Sequence, residues 1–180
     1  MDRETLIHIP GWMHIDVPCL PKNRCTIRTL IITRPGNMDT HDMLSAEGHQ
    51  QMDSLAERLA PYLHGTKARF LGSPVHVAVE SANSLLAALK QREASIDKIV
   101  PFDELYAVDR IPQNFALVIE KILKESADVD VIIVMTHGRT GYLPFEYGRQ
   151  VLRARIEPYE LAPGQACIIH CEAKTTTIVR

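Results

Sequence analysis

The chain has 180 residues, 46% of them apolar, with 20 basic against 22 acidic side chains and a formal net charge of -2. That is enough for one domain with a sizeable core, and so even a charge balance carries no polyelectrolyte signature, so nucleic acid is not an expected partner. No apolar run reaches the roughly 20 residues that span a bilayer, and Met1-Asp2-Arg3-Glu4 lacks the plan of a secretory leader, so no membrane association is expected and the expected location is cytoplasmic.

Residues 1–26, broken by Pro10-Gly11, Pro18 and Pro21, read as an irregular extension, and 27–180 as the domain itself. Ile27 to Thr33 is a β-branched run whose continuous apolar character predicts a parallel strand covered on both faces. Ser45 is a natural N-cap for a helix over 46–63, whose inner face is Met52, Leu55, Ala56, Leu59 and Leu63. Ala68 to Leu71 is a second strand, and Val77 to Gln91 a second helix with Leu85, Leu86 and Leu89 inward. Ile96 to Val100 is a third strand; Pro112 to Ala127 is a helix with Phe115, Val118, Ile119, Ile122 and Leu123 inside. Asp130 to Met135 is a strongly apolar central strand, Tyr142 to Arg153 a helical stretch, and 166–172 and 175–179 are closing strands. Strand and helix alternate through most of the length, which predicts a single α/β domain. The expected architecture is a three-layer sandwich, a mostly parallel central sheet flanked by helices.

Cys167 and Cys171 flank His170, but on a strand alternation sends Cys167, Ile169 and Cys171 to one face, and the paired C-x-x-C spacing of a zinc site is absent. These two, with Cys19 and Cys25, read as free thiols in a reducing compartment. His8, His14, His49, His64 and His170 follow no chemical pattern.

Three polar loops fall where apolar strands end: Thr33-Arg34-Pro35-Gly36-Asn37, Gly72-Ser73-Pro74-Val75-His76 and Thr136-His137-Gly138-Arg139. In open α/β sheets, ligands collect at the carboxyl ends of parallel strands. The order of these loops resembles the histidine phosphatase superfamily (phosphoglycerate mutase-like), in which a strand delivers Arg-His-Gly. Leu44-Ser45-Ala46-Glu47-Gly48 is similar to that family's "Leu-Thr-x-x-Gly", and the ten residues Ser73 to Ala82 to its "Ser-Pro-x-x-Arg-Ala-x-x-Thr-Ala". Val134-Met135-Thr136-His137-Gly138 is similar to "Val-x-Ser-His-Gly". The compact length is closest to the small phosphohistidine phosphatases of the family.

The resemblance implies the phosphoglycerate mutase-like fold and a phosphate site without metal or organic cofactor. Arg34 then matches the first phosphate-binding arginine, and Gly36 the close approach of backbone to phosphate. His137 matches the second histidine, and Glu104, or its neighbour Asp103, the catalytic acid. Arg139, next to His137-Gly138, adds charge to the phosphate-binding set. Two positions depart from the pattern. Pro35 stands where the nucleophilic histidine belongs, and proline has neither a nucleophile nor a backbone N–H. Val77 stands where a second arginine would clamp the phosphate.

The expected function is therefore a histidine-phosphatase-like domain, catalytically inactive or impaired, that keeps a pocket for a phosphate-bearing small molecule or phosphoprotein. One alternative is an active phosphatase in which His41, His76 or an activated water replaces the nucleophile. The other is an interaction domain with a vestigial pocket, forming a homodimer.

Overall fold

The computed structural model describes residues 29–96, 98–108, 114–137 and 159–180. In chain order the elements are β1 (Thr29–Thr33), α1 (Ala46–Leu63), β2 (Ala68–Gly72), α2 (His76–Gln91), β3 (Ile99–Pro101), α3 (Glu104–Val108), α4 (Asn114–Glu125), β4 (Val131–Met135), β5 (Ala166–His170) and β6 (Thr175–Val179). The strands form one sheet in the order β3-β2-β4-β1-β5-β6. The β3-β2, β2-β4 and β4-β1 pairings are parallel, whereas β1-β5 and β5-β6 are antiparallel.

Alternation along each strand sorts the core into two layers, since successive side chains leave opposite faces of a pleated strand. Ile31, Phe70, Ile133, Met135 and Ile168 pack with the inner faces of α1 and α2. Leu30, Ile32, Leu71, Ile132, Val134, Cys167 and Ile169 pack on the other side with Val118, Ile119, Ile122 and Leu123 of α4. The sheet is therefore sandwiched between helices, the three layers expected from the alternation. Every residue of β4 is buried, as its unbroken apolar run requires when both faces are covered.

Local signals set the element ends. Ser45 caps α1, its Oγ accepting from the Gly48 amide at 3.0 Å, and the helix closes at Leu63, where the inward periodicity stops. Pro61 falls in its last turn, and Gly65 just beyond takes a positive φ of 68°. The strand expected over 96–100 is shorter and later, Ile99–Pro101. Its place is set by pairing with Phe70–Gly72 of β2 rather than by its own apolar run. The acidic stretch around Glu104 forms the separate short helix α3. Cys171 opens the turn after β5, yet packs on the same core face as Cys167 and Ile169. Burial pushes the Cys167 thiol up to about 12, so it remains protonated and inert. Residues 1–26, the helical stretch of 142–153, Gly138 and Arg139 lie outside the described residues.

Candidate functional site

Parallel pairing brings the three polar loops to one end of the sheet. Thr33 is in register with Met135, and Gly72 with Met135 on the opposite edge of β4. The junctions are tied together: the amide and Oγ1 of Thr136 both donate to the Thr33 carbonyl, at 3.0 and 2.9 Å. The Ser73 amide donates to the Met135 carbonyl at 3.0 Å. Arg34, Ser73 and His137 therefore stand at the carboxyl ends of β1, β2 and β4.

The Arg34 side chain is 23% exposed and is held from one corner. Its Nη1 donates to the Leu161 carbonyl and lies 3.5 Å from Oε1 of Glu160, in the segment that leads into β5. Nε and Nη2 have no hydrogen-bond partner among the described residues. Those two N–H groups lie on one edge of the guanidinium and point the same way, the fork that matches two oxygens of a carboxylate or phosphate.

His137 is 5% exposed, its Nδ1 2.9 Å from the Oγ of Ser73, which is 1% exposed. Tyr106 of α3 lies stacked beside the imidazole, ring centroids 6.2 Å apart and planes 24° apart. The imidazole is thus fixed in orientation by a hydroxyl at one nitrogen and a phenol ring along its face. Ser73, Tyr106 and Glu160 were not singled out by the sequence. Ser73 carried the one usable signal, a hydroxyl directly after an apolar strand at the ligand end of the sheet.

The loop after β1 differs from what the resemblance implied. The close approach permitted by Gly36 is to protein: a Cβ there would sit 2.8 Å from the Gly48 carbonyl oxygen and 2.9 Å from its Cα. Its amide donates to the Oγ of Ser81 at 3.2 Å, and the Asn37 amide to Oε1 of Gln51 at 2.8 Å. The Arg34 amide donates to the Gln165 carbonyl at 2.9 Å, and Pro35 has no N–H. Every backbone donor from Arg34 to Asn37 is thus absent or committed within the protein, and an anion meeting this loop meets side chains. Pro35 itself is buried, its carbonyl accepting from the Gly164 amide at 2.9 Å.

Glu104 is placed at the surface in a close ion pair with Lys121 of α4. That hydrogen bond holds its carboxyl below the usual range, so it is ionised at neutral pH and poorly suited to protonate a leaving group. His41 and His76 belong to the hairpin that follows Gly36 and to the start of α2. The His41 amide donates to Oδ1 of Asp39 at 2.8 Å, in a turn where Asp42 has a φ of 58°, and its side chain is exposed. The His76 imidazole contacts the Asp42 carbonyl through Nδ1 at 3.3 Å and Glu80 through Nε2 at 3.7 Å. Glu80 in turn accepts from the Leu44 amide at 2.6 Å, fastening the hairpin to α2. Both histidines serve this hairpin, and neither contacts Arg34 or His137 among the described residues. Among the described residues no group of three or more His, Cys, Asp or Glu side chains could hold a metal ion, and no helix is long and apolar enough to cross a membrane.

No family model and no curated protein matches the chain. Solved structures do. The protein histidine phosphatase SixA complexed with tungstate superposes with a TM-score of 0.61 at 17% identity, covering 84% of this chain and 94% of that one. The phosphoserine phosphatase of Entamoeba histolytica with 3-phosphoglyceric acid gives 0.55 at 12% identity, over 84% and 95%. The alpha-ribazole phosphatase of Shigella flexneri gives 0.54 at 16% identity, over 84% and 94%. The chain shares the phosphoglycerate mutase-like fold of these phosphatases, the fold that the resemblance implied.

Proposed function

We propose that this chain, built on the histidine phosphatase fold, recognises a phosphate group without turning it over by phosphohistidine chemistry. The observation that carries the reading is the pair Arg34-Pro35. The arginine presents, among the described residues, a two-donor edge without a partner at the end of β1, and the side chain after it has no atom that could accept a phosphoryl group. In other covalent enzymes, loss of the nucleophile alone costs on the order of 10⁶ in turnover. Val77, partly buried near the start of α2, supplies no second clamp. The remaining site can orient an oxyanion, through Arg34 and the fixed imidazole of His137, but has lost the group that would be phosphorylated.

The ligand is a phosphate-bearing small molecule or a phosphorylated protein segment, bound through side chains and therefore modestly, in a cytoplasmic setting. Calorimetric titration with inorganic phosphate and with vanadate tests this. Binding of both anions is expected, with little advantage for vanadate, because a site without its nucleophile no longer favours five-coordinate geometry. Arg34→Ala is expected to weaken binding by at least about ten-fold, the scale of a charge-assisted pair. Anion affinity that ignores this substitution would remove the proposal. Phosphomonoester hydrolysis abolished by His137→Ala would replace it with an active phosphatase.

A further inference from the structure

The two edge strands of the sheet are built differently. β3 is three residues long and ends in Pro101, two of the features that blunt an edge. β6 is five residues long, Thr175-Thr176-Thr177-Ile178-Val179, every one β-branched and none charged or proline. It pairs with β5 residue for residue, so no bulge turns it away from an incoming chain. Among the described residues nothing pairs with its outer side.

Register decides which groups that side presents. The Arg34 amide donates to the Gln165 carbonyl directly opposite, so the hydrogen-bonded pairs of β1 with β5 recur at Ile32–Cys167 and Leu30–Ile169. The alternate residues of β5, Ala166, Ile168 and His170, therefore turn their amides and carbonyls to Val179, Thr177 and Thr175 of β6. The amides and carbonyls of Thr176 and Ile178 are left on the outside. Ile178 packs its side chain on the α4 side of the core, which holds the strand in place. Lys174 and Arg180, both exposed, flank this row, and neither is in an ion pair among the described residues. Arg180 lies 5.5 Å from the ring centroid of Tyr159, while Glu172 stands beyond Lys174 in the turn after β5.

We infer that the outer edge of β6 is a docking strand for an extended segment of another protein, one with acidic residues at both ends of an uncharged β-branched stretch. Such a segment adds a strand to the sheet through main-chain hydrogen bonds to Thr176 and Ile178. Its end charges meet Lys174 and Arg180. A second copy of β6 fits less well. Antiparallel pairing centred on Thr177 would set Lys174 of each copy against Arg180 of the other, like charges directly opposite. The inference is independent of phosphate recognition at Arg34.

The test uses the full chain and two peptides, acetyl-Glu-Val-Thr-Val-Thr-Val-Glu-amide and the same peptide with lysine in place of glutamate. In the free chain the Thr176 and Ile178 amides are expected to exchange rapidly with solvent, and the acidic peptide should protect both. It should bind about three- to ten-fold more tightly than the basic peptide, the scale of two exposed ion pairs, with the preference shrinking as salt is added. Lys174→Glu combined with Arg180→Glu should reverse the preference. Thr176→Pro removes an outward N–H without breaking a ladder bond, so it should abolish binding and leave melting unchanged. If that variant fails to fold, the charge reversal still decides. Slow exchange of both amides in the free chain, no binding of the acidic peptide, or a preference that ignores the charge reversal would each overturn the inference. Sedimentation showing self-association of the natural chain that Thr176→Pro dissolves would give the edge to a second copy, and would overturn it as well.

Discussion

Arg34 and Arg69 stand at opposite ends of the parallel strands β1 and β2 share with β4, and are buried to nearly the same degree, their side chains 23% and 29% exposed. Each has a carboxylate beside it, yet they do different things. At the amino ends of the strands, both terminal nitrogens of Arg69 are engaged: Nη1 donates to the Glu125 carbonyl at 2.9 Å and to Ser126 at 3.1 Å, and Nη2 meets both oxygens of Asp128 at 3.0 and 3.2 Å. Lys67 completes that network through Asp128, whose carboxyl is held below its usual range chiefly by the lysine. At the carboxyl ends, Arg34 is anchored through Nη1 and keeps a whole edge uncommitted among the described residues. Exposure does not separate these two arginines; among the described residues, the donors each has left uncommitted do.

The largest effect that would sharpen this contrast comes from the support under the Arg34 loop. A Cβ on Gly48 would sit 2.3 Å from the Asn37 carbonyl oxygen and 2.5 Å from Leu44 Cδ1, so Gly48→Ala must push the loop off α1. Chemical denaturation should show a loss of about 2–3 kcal/mol, with phosphate affinity falling as well; an unchanged midpoint would mean the contact is soft.

Exchanging the two arginines breaks the comparison directly. Arg69→Ala is expected to cost about 1 kcal/mol of stability and leave phosphate affinity alone, whereas Arg34→Ala should lose affinity with little change in melting. If both variants lost stability and neither lost affinity, Arg34 would be structural too. Ser73→Ala should cost a similar amount, about 1 kcal/mol. It should also release the ring orientation of His137, seen as a change in its imidazole nitrogen chemical shifts.

The smallest effect concerns Glu120 of α4, whose Oε1 is buried with no hydrogen-bond partner among the described residues. Burial raises this carboxyl above its ordinary value of 4.5, so the folded chain holds the proton more tightly than the unfolded chain does. The penalty on the fold is therefore absent below pH 4.5, grows as pH rises, and is complete above the raised value. Glu120→Gln should accordingly stabilise the protein at pH 7 by about 1 kcal/mol or less, with the gain disappearing in acid. A gain independent of pH would point to packing instead of charge.

Much of the architecture could be read from local pattern. The bounds of α1 follow from Ser45 and a five-residue inner face, and β4 from an unbroken apolar run, because capping and periodicity act within a few residues. The strand near Ile99 was less legible, because pairing with β2 decides its place. At the site, Arg34 and His137 were visible as polar residues ending apolar strands. Glu160 was not, since it sits in an aperiodic segment more than a hundred residues from the arginine it contacts.

By itself, then, the sequence determined the layering of helices on a mostly parallel sheet, the three loops that meet at the carboxyl ends of its strands, and a proline, Pro35, where the resemblance implies a histidine. Those follow from periodicity, alternation and the chemistry of single residues. Only the tertiary structure decided how the donors are spent: Gly36 on Ser81, Asn37 on Gln51, one corner of Arg34 on Leu161 and Glu160, with its other edge uncommitted among the described residues. Hydrogen-bond partners are chosen by geometry between segments far apart in the chain, and no local pattern encodes that choice.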